Sequence, residues 1–321
     1  MARLALALAF SLLTLGCTAP EQTTAPDRPL AGRLERDVTV LATRFAERNA
    51  TNREVLNGAG AWIGSRLRSM GYAVEREPVP TDGEPEAFNI IAELGGTERP
   101  DEIIIVGAHY DAEVNTPGAD DNASGVAVLL ELARRLADDP RGRTIRLIAF
   151  TNEENSSSRG GRMGSATHAI GAADRGETIA AMLSLEMLGY YDDAPGSQRY
   201  PFDRDLAARL GLELPDTGDF VGVVGRLEDA ELVARVASAM RGAGTIPVAE
   251  AALPALIPDI WRSDHGPFWA RGYTAVMLTD TSEFRNPHYH GPSDTPGTLD
   301  FRRMARAAEA VVAAVDALAD R

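Results

Sequence analysis

A histidine and several aspartates lie together on one loop whose chemistry is that of a metal site. An apolar run over residues 103–106 predicts a buried strand that leads into His109, and the amphipathic pattern over residues 126–136 predicts a helix beyond the loop. Asp111 and Asp121 lie on the Gly- and Asn-rich segment between these two elements. Imidazole nitrogens and carboxylate oxygens are common protein ligands of divalent cations, so this loop is a candidate cation site.

Polar residues of the same types follow three further predicted strands. These strands are residues 144–150, 179–188 and 275–279. Glu153 and Glu154 follow the first of them, and Glu186 lies near the end of the second. His290 lies in the loop after the third. Strands that alternate with helices predict an α/β fold of three layers, α/β/α, with a mostly parallel mixed sheet flanked by helices. Ligands of such sheets bind beyond the carboxyl ends of the strands, so we expect these side chains to meet at one edge.

The types of these residues favour a catalytic zinc site. Two histidines and several carboxylates suit Zn²⁺, which accepts both nitrogen and oxygen ligands. Cys17 is the only cysteine, which excludes a structural zinc site built from thiolates. The number of carboxylates favours two cations about 3.5–4 Å apart, bridged by a carboxylate and a hydroxide. Such a pair lowers the pKa of the water between the ions and polarises a bound carbonyl group.

The adjacent residues Glu153 and Glu154 are predicted to have different roles. Adjacent side chains on an extended segment point in opposite directions, so one carboxylate can bind metal while the other faces the water as a general base. Asp111 lies two residues after His109. From that position it is expected to accept the second imidazole N–H and fix the tautomer of the ring.

Five short segments occur in an order that resembles a known family. They are His109-Tyr110-Asp111, residues 118–125, Asn152-Glu153-Glu154, Ser263-Asp264-His265, and Tyr289-His290 through Asp294-Thr295. Together they resemble metallopeptidase family 28, which contains zinc aminopeptidases, glutamate carboxypeptidases and glutaminyl cyclases. The resemblance extends from about Phe88 to Phe301 and implies one zinc exopeptidase domain over residues 30–321.

The resemblance assigns a role to each candidate residue. The implied metal ligands are His109, Asp121, Glu154, Glu186 and His290. Asp121 would bridge two zinc ions, and its peptide bond to Asn122 would be cis. Glu153 would be the general base, and Tyr289 would help polarise the scissile carbonyl. Independently of the resemblance, Asp111 and Asp264 are expected to contact the ligands without binding metal themselves.

Glu186 departs from the family pattern, in which an aspartate is usual. Its extra methylene moves the carboxylate by about one bond length, so the first zinc position depends on whether the longer side chain reaches it. Three alternatives stay open at this point. His288 competes with His290 as a ligand, Asp120 is interpreted as a cap of the following turn, and Asp264 either caps a short helix or supports the site.

The combined prediction is a zinc-dependent exopeptidase, first of all an aminopeptidase acting on peptides with a free N-terminus. A metal-bridging hydroxide and a glutamate general base would carry out the hydrolysis. The alternatives on the same fold are a glutaminyl cyclase-like transferase and a carboxypeptidase. A non-catalytic receptor-like domain is the alternative of a different class, and it requires lost ligands or a lost base.

The N-terminal segment predicts export. The apolar run over residues 4–15 is too short to span a membrane and has the form of a signal-peptide core. Residues 13–17 resemble a lipobox, so we expect a signal peptide over residues 1–16, a lipid on Cys17 and a flexible tether over residues 17–29. Ordinary cleavage near Ala19 is the alternative, and mass spectrometry of the mature N-terminus distinguishes the two.

These expectations place the protein in a bacterial cell envelope or periplasm as a lipoprotein, or outside the cell. Contact with a membrane is expected only through the lipid on Cys17. The formal net charge of -15 argues against nucleic-acid binding, which needs basic patches to neutralise phosphates. The sequence does not indicate an oligomeric state.

Overall fold

The computed structural model describes residues 27–80, 87–154, 163–202, 207, 209 and 214–320. In this part of the chain, eight strands form one sheet in the order β1-β2-β4-β3-β5-β8-β6-β7. The strands are β1 Val74–Val79, β2 Ala87–Leu94, β3 Arg99–His109, β4 Arg143–Phe150, β5 Thr178–Glu186, β6 Val221–Arg226, β7 Val248–Leu253 and β8 Ala275–Thr279. The helices that flank it are α1 Asp27–Thr39, α2 Arg53–Ser69, α3 Gly125–Leu136, α4 Gly164–Asp174, α5 Ala230–Ala243, α6 His265–Trp269 and α7 Phe301–Ala319.

The central strands β4, β3, β5 and β8 are parallel. On one side, β2 runs antiparallel to both β4 and β1. On the other side, β6 runs antiparallel to β8 and pairs in parallel with β7. The carboxyl ends of the four central strands therefore lie at the same edge of the sheet, as the sequence predicts.

Apolar side chains of β3 alternate between two cores. Ile104, Val106 and Ala108 pack in the core that α1, α2, α3, α5 and α7 cover. Ile103 and Ile105 pack in the core on the opposite face, which α4 and α6 cover. Successive side chains of a strand point to opposite faces, so an unbroken apolar run is what a strand buried on both faces requires. The three-layer α/β/α prediction is confirmed.

Several boundaries differ from the sequence prediction. The first helix begins at Asp27, three residues inside the predicted tether, and Pro29 occupies its first turn, where a missing N–H costs little. The strand predicted at residues 179–188 ends at Glu186, and the next residue, Met187, has a positive φ of 52°. The predicted signal peptide, residues 1–16, lies outside the described residues. Among the described helices, none combines the length and the apolar character needed to cross a membrane.

Candidate active site

Asp121 lies between the two histidines that the sequence singled out. Its Oδ1 is 3.3 Å from Nε2 of His109, and its Oδ2 is 3.2 Å from Nε2 of His290. The His109 nitrogen is also 3.4 Å from Oε1 of Glu186, and the His290 nitrogen is 3.1 Å from Oε2 of Glu154. The five predicted ligands are thus brought together around Asp121. One ligand atom each of His109, Asp121 and Glu154 lies within 4.8 Å of the others, which fits a bound cation.

The loop that carries Asp121 is hydrogen-bonded to the end of β5. The Asp121–Asn122 peptide bond is cis, as the family resemblance implied. Asn122 donates from Nδ2 to the carbonyl of Leu185 over 2.8 Å, and its Oδ1 accepts from the backbone N–H of Met187 over 3.1 Å. Asp294 accepts the backbone N–H of Asp121 over 3.2 Å. Asn122 and Asp294 therefore fix the carboxylate between the two histidines.

Arg48 anchors the start of the same loop and was not among the residues singled out from the sequence. The side chain is 0% exposed. It donates to the carbonyls of Tyr110, Pro117 and Gly118 over 2.6, 2.7 and 2.6 Å, while its own carbonyl accepts the N–H of Ala112 over 3.0 Å. Burial lowers the pKa of its guanidinium to about 10, which leaves it charged at neutral pH. An arginine in a polar stretch of sequence carries no signal of this role.

Glu153 and Glu154 lie on the turn that follows β4. Both backbone N–H groups donate to the carboxylate of Asp111, each over 3.1 Å. Asp111 also lies 3.5 Å from Nδ1 of His109, on the expected side of the ring, although its hydrogen bonds go to the glutamate turn. Asp111 therefore holds two of the strand ends together.

The electrostatics of the site favour bound cations. Burial raises the pKa of Glu154 to about 8 and that of Glu153 well above its usual range. Burial alone would lower the pKa of His290, but Asp121 and Glu154 raise it to about 10. Glu154 is 4% exposed, and among the described residues its Oε1 has no hydrogen-bond partner. Crowded carboxylates that stabilise positive charge, one of them with an unpaired buried oxygen, fit bound divalent cations.

Glu186 reaches the site despite its extra methylene. It is the last residue of β5, and its Oε1 faces His109 while the hydroxyl of Ser263 donates to Oε2. Asp264 is buried behind these groups and makes no side-chain cap to α6, so helix capping is not its role. Burial raises the pKa of Asp264 to about 7. His265 is a structural residue, since its Nε2 contacts the carbonyl of Ile260 at 2.6 Å and burial lowers its pKa to about 4.

Two of the open alternatives are decided by contacts. Nδ1 of His288 lies 2.9 Å from the hydroxyl of Ser293, whereas Nε2 of His290 lies 3.2 Å from Asp121 and 3.1 Å from Glu154. The interpretation of Asp120 as a turn cap is wrong. Its side chain accepts the N–H of Gly189 over 2.9 Å and the Nδ2 group of Asn286 over 2.7 Å. It thereby connects the loop that carries Asp121 to two distant segments, which local sequence patterns do not reveal.

Tyr289 lies beside the site with its hydroxyl oriented by an arginine. Its ring stacks on that of His290 at a centroid distance of 3.8 Å. Nη2 of Arg262 donates to the Tyr289 hydroxyl oxygen over 2.6 Å, and Arg262 also pairs with Glu283. Because the hydroxyl accepts from Arg262, its own hydrogen remains available for donation to another oxygen.

A pocket extends from these carboxylates over the sheet face of β6, β7 and β8. It encloses about 1060 Å³ of space, including its open mouth. Its apolar lining residues include Tyr200, Pro201, Phe202, Leu214, Pro215, Phe220, Val223, Val224, Ala251, Leu253, Ile260 and Met277. Glu153, Glu154 and Glu186 also line it. The arrangement suits an apolar side chain held next to an acidic reaction centre.

The sequence matches the profile of Peptidase family M28 over residues 89–315. The chain belongs to this family. It is 39% identical over 288 residues to "Uncharacterized protein YfbL" of Escherichia coli K12, covering 87% of this chain and 86% of that protein. It is 30% identical over 274 residues to a "Probable zinc metalloprotease" of Pyrenophora tritici-repentis, covering 75% of this chain and 60% of that protein. The predicted family is confirmed, and the protein is a metallopeptidase.

Solved structures of this M28 fold include both hydrolases and transferases. The LapA aminopeptidase of Legionella pneumophila superposes with a TM-score of 0.70 at 20% identity, covering 92% of this chain and 74% of that chain. The glutaminyl cyclase of Porphyromonas gingivalis superposes with a TM-score of 0.65 at 22% identity, covering 89% of this chain and 97% of that chain. At these identities the likeness concerns the fold, so the reaction must be argued from the site itself.

Proposed function

We propose that this M28 metallopeptidase is a zinc-dependent aminopeptidase that removes N-terminal residues from peptides. The observation that carries the proposal is Asp121, each of whose oxygens faces a different histidine. Two zinc ions would be held by these residues, one by His109 and Glu186 and the other by Glu154 and His290, and Asp121 would contribute to both positions. The similarity to a relative named as a zinc metalloprotease supports zinc as the metal.

The charge of the pocket favours an aminopeptidase over a carboxypeptidase. Apart from the proposed zinc ligands, its lining holds four carboxylates against two guanidinium groups, and such a surface attracts a free α-ammonium group. A carboxypeptidase must instead neutralise the terminal carboxylate of its substrate. Arg262, the guanidinium beside Tyr289, is already paired with Glu283. The apolar lining accommodates the first side chain of the substrate.

The residues divide the hydrolysis between them. When bound, the zinc pair supplies a water of lowered pKa and polarises the scissile carbonyl. Glu153 accepts the proton of the attacking water and returns it to the leaving amine. The hydroxyl of Tyr289 donates to the carbonyl oxygen as negative charge develops there. Arg262 keeps that hydroxyl in the orientation that makes donation possible.

A digest of a peptide pool tests the proposal. The purified protein is incubated with zinc and a mixed peptide pool, and in parallel with the same pool after N-acetylation. We expect stepwise loss of N-terminal residues from the free peptides alone, and no loss after treatment with a chelator. Trimming of C-termini in both pools would identify a carboxypeptidase. Loss of ammonia from glutamine-starting peptides alone would identify a cyclase, and either result would overturn the proposal.

The variant Tyr289→Phe is expected to lower kcat by about 10²-fold, because one donor to the developing oxyanion is lost. The zinc content should stay that of the unmodified protein, since the hydroxyl is not assigned as a ligand. The matched control is Tyr273→Phe, whose hydroxyl lies 3.4 Å from the carbonyl of Glu177 and whose position precedes β8, at the opposite edge of the sheet. Equal kcat in the two variants would remove Tyr289 from the mechanism.

A further inference from the structure

A carboxylate that the sequence did not single out lies beside the second cation position. One oxygen of Glu113, one oxygen of Glu154 and one ring nitrogen of His290 all lie within 4.8 Å of one another. Glu113 is half-buried and belongs to the loop between β3 and Asp121. A cation held by Glu154 and His290 would thus have a further oxygen donor close at hand.

Hydrogen bonds hold the backbone around Glu113 in place. Its carbonyl accepts the hydroxyl of the buried Thr116 over 2.9 Å and the Thr116 N–H over 3.2 Å. Arg48 binds both sides of this short segment, at Ala112 and at Pro117. The backbone around Glu113 is therefore held on one side by the carbonyl of Arg48 and on the other by its guanidinium, as expected of a preorganised ligand.

Glu154 supplies an independent indication that a ligand is missing from this group. Its carboxylate is 4% exposed, with Oε2 3.1 Å from His290. Among the described residues, Oε1 has no hydrogen-bond partner, although a buried carboxylate oxygen without a partner is costly. In Glu113, Oε1 accepts the N–H of Val114 over 2.8 Å. The Oε2 atom of Glu113 is therefore available to bind a cation.

We propose that Glu113 is an additional ligand of the second zinc ion, together with Asp121, Glu154 and His290. This inference rests on the proposed two-zinc site and adds to it. Three carboxylates and one imidazole then surround the second position, against two carboxylates and one imidazole at the first. The added negative donor makes the second position the tighter of the two, so a chelator removes zinc from the first position earlier.

Zinc competition with a chromophoric chelator tests the assignment. The purified full chain, Glu113→Gln and the control Glu98→Gln are compared; Glu98 is exposed and precedes the start of β3, at the opposite edge of the sheet. We expect two zinc ions per chain, with the affinity of one of them at least about tenfold weaker in Glu113→Gln, since loss of a mere supporting contact already costs that much. Glu113→Asp should lie between the two, and Glu98→Gln should be unchanged.

The outcomes separate this inference from the proposed function. Two zinc ions bound with unchanged affinities in Glu113→Gln would overturn the Glu113 assignment and leave the two-zinc site intact. A raised KM without any change in zinc affinity would identify Glu113 as a substrate contact and would also overturn it. An unmodified chain that binds no zinc would overturn the proposed function itself.

Discussion

The variant Glu153→Gln is expected to lower kcat by about 10²- to 10⁴-fold, the range for loss of a general base, while zinc stays bound. The carboxamide has nearly the shape of the carboxylate but cannot accept the proton of the attacking water. Its backbone N–H still donates to Asp111, so the turn after β4 keeps its conformation. Steady-state kinetics on a peptide that the pool experiment identifies, together with zinc content, measures both effects.

The neighbouring variant Glu154→Gln is the matched control. It makes the same chemical change one residue further along, in a side chain that faces His290 instead of the water. We expect its first effect to be weaker zinc binding, with activity partly restored by added zinc. If Glu153→Gln lost zinc and Glu154→Gln kept it, the roles of the two carboxylates would be exchanged. Unchanged turnover in Glu153→Gln would exclude it as the base.

The variant Arg48→Met is expected to lower the free energy of unfolding by about 4 kcal/mol or more, since each buried carbonyl left without a donor costs about 1–3 kcal/mol. The affected carbonyls include those of Tyr110, Pro117 and Gly118. Methionine fills much of the space of the arginine stem, so the loss is one of hydrogen bonds more than of packing. Urea unfolding of the zinc-free proteins measures it without a contribution from bound metal.

The loop held by Arg48 gives this variant a second expected effect. Glu113 and Asp121 both depend on that loop, so zinc affinity should fall even at temperatures where Arg48→Met remains folded. Arg36→Met is the control, because Arg36 is exposed on α1 and its replacement should change stability by less than about 0.5 kcal/mol. If Arg48→Met unfolded at the same urea concentration as the control, the hydrogen bonds of Arg48 would not stabilise the fold.

The sheet and the convergence of the site were predictable because they follow from local patterns. The run at residues 275–279 coincides with β8, and His109 and Glu186 are the last residues of β3 and β5. An apolar run predicts a buried strand, and the polar residue at the end of the run predicts the edge of the sheet. Because these strands are parallel, their carboxyl ends lie at the same edge of the sheet, however the side chains pack.

The residues that secure the loop were not predictable by the same means. Arg48 is 70 residues away from Gly118, and Asn286 is 166 residues away from Asp120, yet each pair is hydrogen-bonded. Neither an arginine nor an asparagine in a polar context has a periodicity that indicates its partner. The cis bond before Asn122 followed from the family resemblance and not from local chemistry. The role of Asp120 was misjudged for the same reason, since its partners lie on segments remote in sequence.

Because β6 runs antiparallel to β8, residues of the reaction centre and residues that shape the pocket lie on different strands. The metal-site carboxylates and histidines follow or end the parallel strands β3, β4, β5 and β8, whereas β6 and β7, which run the other way, present Val224, Ala251 and Leu253 to the pocket. A substitution in β6 or β7 therefore alters the shape offered to a substrate side chain without replacing a residue at the reaction centre. Selectivity can diverge among descendants of such a chain while the chemistry is inherited unchanged.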